Sequence, residues 1–148
     1  MDNDKVITTL NDLIETCKDG ETGFRTAAEG VTNAEVKMAF GQYARERGQM
    51  ARDLQAEVRR LGGDPEKAGS ISGSMHRGWM NIKSAVTGKD DHKIIAEAER
   101  GEDAAKAAFE GALKEPLPAP VLTIVQRQSA LVHAAHDRVR AMERAGAR

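Results

Sequence analysis

Polar side chains recur near the middle of four predicted helices, on faces where apolar residues are expected. A buried charge without a partner is destabilising, because it loses its interactions with water. Something inside the protein must therefore compensate these groups. In chain order they are Cys17 and Glu21, Glu46 or Arg47, Glu102, and His133 with His136.

Two kinds of compensation fit these residue types. In the first, the groups neutralise one another, so that Arg47 pairs with Glu46 or Glu102. His136 then pairs with a carboxylate. In the second, the groups bind a metal ion, because carboxylate oxygens and imidazole nitrogens converging from facing helices are ligands for iron or manganese. We favour mutual neutralisation, since polar bundle cores without metal are common.

Apolar residues at helical spacing predict the elements that position these side chains. The predicted long helices cover residues 3–30, 33–62, 91–114 and 120–145, and a short helix covers about 74–87. Thr32 and Glu35 predict a capping box at the start of the second helix. The first and third junctions are short, which makes the helices they join antiparallel neighbours, whereas the connection over residues 64–90 is long enough to cross the bundle.

The expected fold class is therefore all-α: a ferritin-like four-helix bundle with one long crossover connection that carries a short extra helix. An up-down bundle with a decorated loop is the alternative. The 148 residues are expected to form a single domain, 1–148, which is long enough to bury a core.

The composition excludes several classes of partner. Charged residues make up 30% of the chain but the formal net charge is only -1, so no overall field attracts nucleic acid or anionic lipid. No apolar run approaches the roughly 20 residues of a membrane span, and the acidic start MDNDKV is unlike a signal peptide. The single cysteine, Cys17, suits a reducing compartment. We therefore expect a cytoplasmic protein that binds neither nucleic acid nor membrane.

Five stretches of the sequence carry a resemblance that covers nearly the whole chain, in order. They are DLIETCKDGETGFRTAAEGV, LQAEVRRLGGDP, HRGWMNIKSAVTGKDD, AERGEDAAKAAFEGAL and LPAPVLTIVQRQSALVHAAHDRVRAM. These stretches resemble a family of bacterial ferritin-like four-helix-bundle proteins of unknown function. The resemblance implies a fold and leaves the biochemical role open.

A more distant similarity is to bacterioferritin and rubrerythrin, in which two Glu-x-x-His motifs and two single Glu residues hold a di-iron centre. Carried onto this chain, the similarity places the second-helix motif on Glu46-x-x-Gln49, where Gln replaces His. It places the single Glu of the third helix on Glu102, seven residues before Phe109.

The other two ligand positions depart from that pattern. Cys17 takes the place of the first-helix Glu, with Glu21 or Glu15 as a partial substitute, and His133-x-x-His136 takes the place of the fourth-helix motif. At least half of the bridging carboxylates are therefore missing, which implies a degenerate di-iron site. The candidate metal ligands that remain are Glu46, Glu102, His133 and His136, with Glu21 and Cys17 as weaker candidates.

We therefore predict a binding or stress-related structural protein rather than an enzyme. The alternative is a metal-binding bundle with ferroxidase-like chemistry that holds one or two ions of iron, manganese or zinc. With the ligands that remain, we expect either no cofactor or one divalent metal ion. We expect a homo-oligomer, most simply a dimer. A protein partner that docks on the Gly/Ser-rich connection around Trp79 is left open.

Overall fold

The computed structural model describes residues 1–67 and 78–146. All regular secondary structure in these residues is helical, which confirms the all-α prediction. The helices are α1 (Asn3–Gly30), α2 (Ala34–Arg60), α3 (Ile82–Thr87), α4 (Asp91–Leu113) and α5 (Ala119–Gly146). The predicted bounds of the four long helices agree to within two residues, whereas residues 74–77 of the predicted short helix, and the Gly/Ser stretch over residues 69–74, lie outside the described residues. None of the helices in the described ranges combines the length and apolar character needed to cross a membrane.

The start of α2 differs from the predicted capping box. Asn33 is the N-cap, and its side-chain oxygen accepts a hydrogen bond from the Val36 amide at 3.0 Å. Thr32 instead donates its hydroxyl to the Asp91 carboxylate at 2.9 Å. The capping-box prediction is therefore wrong by one residue, because a carboxylate from α4 engages the hydroxyl that would have capped α2.

The four long helices pack in a ring, in which α1 and α5 each contact both α2 and α4. The start of α1 lies beside the end of α2, where the Asn3 side-chain amide donates to the Leu61 carbonyl at 2.9 Å. At the other end of the protein, Asp91 at the start of α4 accepts hydrogen bonds from the Thr32 and Asn33 amides. Hence α1 runs antiparallel to α2 and to α4, and α2 and α4 run in the same direction.

The end of α2 and the start of α4 therefore lie at opposite ends of the protein, and the connection joins them. Its described part includes Trp79, whose buried indole meets the Phe24 ring edge-on at a centroid separation of 5.0 Å. Gly23 on α1 and Gly101 on α4 leave the space for this indole, since a methyl group at either position would overlap it. The prediction that Trp79 packs against the helices is confirmed.

Two apolar clusters fill the core, one toward each end of the helices. The residues between the clusters are 18–23 on α1, 45–49 on α2 and 99–104 on α4. Arg47 and Glu102 lie in this interval and are 1% and 0% exposed. The middle of the core is thus a charged layer between two apolar ones.

Candidate functional site

The charged layer is built around one ion pair between α2 and α4. The Arg47 guanidinium donates from Nη1 to Glu102 Oε1 at 2.7 Å and from Nη2 to Glu102 Oε2 at 2.6 Å. This two-point geometry is the strongest that a guanidinium and a carboxylate can form. Burial lowers the pKa of Arg47, but the charge and hydrogen bonds of Glu102 outweigh that effect and hold it above its usual value. Arg47 is therefore a fixed cation in the core.

Helix α1 provides the space for this cation. An added Cβ at Gly20 would lie 3.1 Å from Arg47 Nη1, so the guanidinium packs directly on the α1 backbone. The Phe24 ring lies below it, with its centroid 5.4 Å from the guanidinium carbon, which is a cation–π distance. The Arg47 Nε has no hydrogen-bond partner among the described residues. Electrostatic attraction to Glu102 and the aromatic face therefore stabilise Arg47.

Neither of the two weaker ligand candidates on α1 offers this layer an ionised atom that could bind a metal. Cys17 is fully buried, and burial raises the pKa of its thiol to about 12. The group is thus a neutral thiol at physiological pH, and the thiolate is the form that binds metals. Glu21 is partly exposed and forms an ion pair with Arg25 at 3.3 Å.

Glu46 lies beside the charged layer, on the side where α2 faces α5. It is partly exposed and borders a cavity of about 410 Å³ that Gln49 and Gln128 also line. Burial raises the pKa of Glu46, Arg47 lowers it, and Glu102 raises it further, with a net increase. Gln49 is exposed and is hydrogen-bonded to its neighbours on α2. The side chains of Glu46 and Gln49 therefore face this cavity and the solvent, whereas Arg47 between them points into the core.

The two histidines of α5 point toward carboxylates of α4 in different environments. His133 is half-exposed, and its Nε2 lies 3.6 Å from Glu110 Oε1. His136 is buried, with Nε2 at 2.7 Å from Asp103 Oδ1 and Nδ1 at 3.3 Å from Asp137 Oδ1. The pairing of His136 with a carboxylate agrees with the mutual-neutralisation hypothesis, as does the pairing of Arg47 with Glu102.

The structure does not bring the four main ligand candidates together. Both oxygens of Glu102 bind Arg47, and the side chains of Glu46, His133 and His136 lie on separate parts of the bundle. Glu102 is hydrogen-bonded to Arg47 in the core, whereas His136 is hydrogen-bonded to Asp103 and Asp137, whose side chains are mostly exposed. A helical wheel places residues on a face, but it does not say which of several neighbouring charges will pair.

Within residues 1–67 and 78–146, one group of three potential metal ligands comes together: Glu99, Asp103 and His136, with their ligand atoms all within 4.8 Å of one another. The sequence analysis identified His136 but missed the two carboxylates. Glu99 and Asp103 are one turn apart on α4, so their i, i+4 spacing opposite a histidine was the signal that could have found them.

The comparisons with known proteins identify a family. Residues 5–115, which are 111 of the 148 residues, match the family described as Domain of unknown function (DUF2383). No curated protein matches the chain. The matched segment runs from the first turn of α1 to the end of α4, and it contains both Arg47 and Glu102. The chain belongs to the family described as DUF2383.

Proposed function

We propose that this protein is a ferritin-like four-helix bundle in which a buried ion pair takes the place of a di-iron centre. In this proposal the bundle serves as a non-enzymatic binding or stress-related structural protein. The observation that carries the proposal is the Arg47–Glu102 pair, which occupies the centre of the core with two hydrogen bonds and almost no exposure. The expectation of a homodimer stays a prediction.

The connectivity supports the ferritin-like part of the proposal. Helices α2 and α4 run in the same direction, so the chain must travel the length of the bundle between Arg60 and Asp91. An up-down bundle, even one with a decorated loop, would need α2 and α4 to be antiparallel. Two antiparallel hairpins with one long crossover are instead the arrangement of ferritin-like folds.

The chemistry of the charged layer supports the second part. A di-iron centre needs about four carboxylates whose oxygens face the metals. Here the guanidinium of Arg47 supplies the positive charge opposite Glu102, and Cys17 is a neutral thiol beside it. A bound cation next to Arg47 would be repelled, because two positive charges a few ångströms apart in a buried layer interact strongly. The pair is also sealed between two apolar clusters, which suits a structural role better than contact with a substrate.

Aerobic iron oxidation tests this proposal directly. Fe²⁺ is added to the chelator-treated protein, and the formation of Fe³⁺ is compared with that in buffer and with that produced by a bacterioferritin. We expect the protein and buffer curves to coincide. Oxidation faster than in buffer, together with its loss in a Glu102→Gln variant that helical circular dichroism shows to be folded, would overturn the proposal, because it would make Glu102 a ligand of a working ferroxidase centre.

A further inference from the structure

The side of the bundle where α4 faces α5 carries a second charged group that the proposed function does not use. His136 lies on α5, and Glu99 and Asp103 lie one turn apart on α4. We propose that these three side chains form a mononuclear site for a divalent transition-metal ion, and that Zn²⁺ is the ion it holds. This site is separate from the ion pair, because Glu102 points into the core while Asp103, the next residue, points to the surface.

The spacing of the ligand atoms fits a single small ion. The three ligand atoms lie within 4.8 Å of one another, and His136 Nε2 is 2.7 Å from Asp103 Oδ1. Ligands that surround Zn²⁺ at about 2.0–2.1 Å are themselves roughly 3–3.5 Å apart. In the proposed site the carboxylates of Glu99 and Asp103 would rotate to bring all three ligands to this spacing around one ion.

The position of His136 is the main argument for a cation at this point. Its side chain is only 4% exposed, and each of its ring nitrogens faces a carboxylate oxygen, that of Asp103 or that of Asp137. A neutral imidazole has one N–H and can donate to only one of them. If Nε2 donates to Asp103, the lone pair on Nδ1 faces Asp137, and if Nδ1 donates to Asp137, the lone pair on Nε2 faces the carboxylate of Asp103. A cation bound to Nε2 would remove the repulsion in the second arrangement.

A metal ion on Nε2 would remove this repulsion and would also fit the arrangement on the other ring nitrogen. Histidines that bind metals commonly donate their second N–H to a carboxylate, which fixes the tautomer and orients the ring. Asp137 is in the position to accept that hydrogen bond. A proton on Nε2 is the competing explanation, and it makes no demand on Glu99. The participation of Glu99 therefore distinguishes a metal ion from a proton.

The exposure of the two carboxylates gives the ion a route of entry. The Asp103 side chain is 63% exposed and that of Glu99 is 19% exposed, so the site opens to solvent and leaves room for a water as the fourth ligand. Arg140 Nε lies 3.9 Å from Glu99 Oε1, a weak contact that the ion would replace. One imidazole with carboxylates suits Zn²⁺ better than Mg²⁺ or Ca²⁺, which prefer oxygen ligands alone, and Mn²⁺ binds such sites more weakly.

Zinc titration of the full chain, made without a histidine tag and freed of metal with a chelator, tests the proposal. Binding is followed by calorimetry and by competition with a chromogenic chelator. We expect one Zn²⁺ per chain, weaker binding of Mn²⁺, and a higher unfolding temperature in the presence of Zn²⁺. Asp103→Asn and Glu99→Gln should each weaken Zn²⁺ binding by more than about 10-fold. Both side chains reach solvent, so both variants should fold.

The same two helices offer a matched control. His133 and Glu110 form another histidine–carboxylate contact, at 3.6 Å, with no third ligand in the groups found within the described ranges. Glu110→Gln should therefore bind Zn²⁺ as the wild type does. The proposal is wrong if the wild type binds no Zn²⁺, or if Asp103→Asn and Glu99→Gln bind it as tightly as Glu110→Gln. Neither result would bear on the ion pair, whose own test is iron oxidation.

Discussion

Replacing Glu102 by Gln isolates the contribution of the buried ion pair to stability. The substitution keeps the size and shape of the side chain and removes its negative charge. Arg47 would then remain in the core as a cation without a counter-ion. One of its N–H groups would also face the amide NH₂ of the new side chain, since both Glu102 oxygens now accept hydrogen bonds from it. The Nε of Arg47 already lacks a hydrogen-bond partner among the described residues, which indicates that few acceptors surround the guanidinium. We therefore expect no other group to replace the lost hydrogen bond.

The size of the effect follows from the burial of both groups. Removing one partner of a buried ion pair typically costs about 3–5 kcal/mol, because the remaining charge cannot be solvated. The total free energy of unfolding of a domain is about 5–15 kcal/mol, so this is a large part of it. With a urea dependence of roughly 2 kcal/mol per molar, the unfolding midpoint should fall by about 1.5–2.5 M.

Urea unfolding followed by helical circular dichroism measures this shift, and the chain contains its own control. Arg60 and Glu57 form an ion pair of the same length, 2.6 Å, but the Arg60 side chain is 52% exposed. Glu57→Gln should leave the midpoint unchanged, because exposed ion pairs contribute little. A Glu102→Gln midpoint equal to that of Glu57→Gln would refute the buried pair.

Replacing both partners gives an independent check of the same reasoning. The double variant Arg47→Leu with Glu102→Leu removes both charges and leaves an apolar layer between two apolar clusters. Its stability should lie near that of the wild type or above it, although each single substitution is strongly destabilising. If the double variant instead loses the sum of the two single effects, the two side chains act independently and the ion pair is not what stabilises the layer.

Two further predictions concern the packing of Trp79 against α4 and the hydrogen bonds that Asp91 accepts near the start of α2. Gly101→Ala should lower stability by about 1–3 kcal/mol, because the methyl group overlaps the indole of Trp79. It should also shift the fluorescence emission of this single tryptophan. Gly111 lies on the same helix and a methyl group there meets nothing within 4 Å, so Gly111→Ala should be neutral or slightly stabilising. Burial raises the pKa of Asp91. Hydrogen bonds from Thr32 and Asn33 and the positive charge of Lys37 outweigh that effect and hold the pKa below its usual value. The stability that this carboxylate contributes is thus fully present above the unfolded pKa of 3.8 and is lost as the pH falls through the lower pKa of the folded state. The difference in urea midpoint between wild type and Asp91→Asn should be clear at pH 7 and should shrink as the pH falls below 3.8.

The helices could be predicted from the sequence because their signal is periodic and repeated. Each long helix carries many apolar residues at spacings of three or four, so errors at single positions do not change the pattern. The N-cap of α2 shows where this local information ends. Thr32 and Asn33 both have capping side chains, and the choice between them depends on Asp91, which is 59 residues from Thr32 in the chain.

The candidate site could be predicted only in part, for a related reason. The stripe of α2 passes through Glu46 or Arg47 equally well in sequence, and the structure buries Arg47 because α1 offers it Gly20 and the face of Phe24. That space is created by the absence of a side chain, which no hydrophobic pattern records. The hypothesis of mutual neutralisation identified the kind of interaction that Arg47 and Glu102 form, whereas the metal hypothesis stays a prediction.

Glu102 and Asp103 bring the two charged sites to a single turn of α4, and their opposite directions make the sites separable by experiment. Successive residues on a helix are about 100° apart, so one carboxylate faces Arg47 in the core and the next faces His136 at the surface. Glu102→Gln should therefore lower the unfolding midpoint and leave zinc affinity intact in the folded protein. Asp103→Asn should weaken zinc binding and lower the midpoint much less, because its side chain is mostly exposed and the Asn side chain can still hydrogen-bond to His136 Nε2. Two neighbouring substitutions with the same change in charge would thus separate a group that holds the fold from a group that binds an ion; equal effects of both variants on stability and on zinc affinity would show instead that the turn acts as one site.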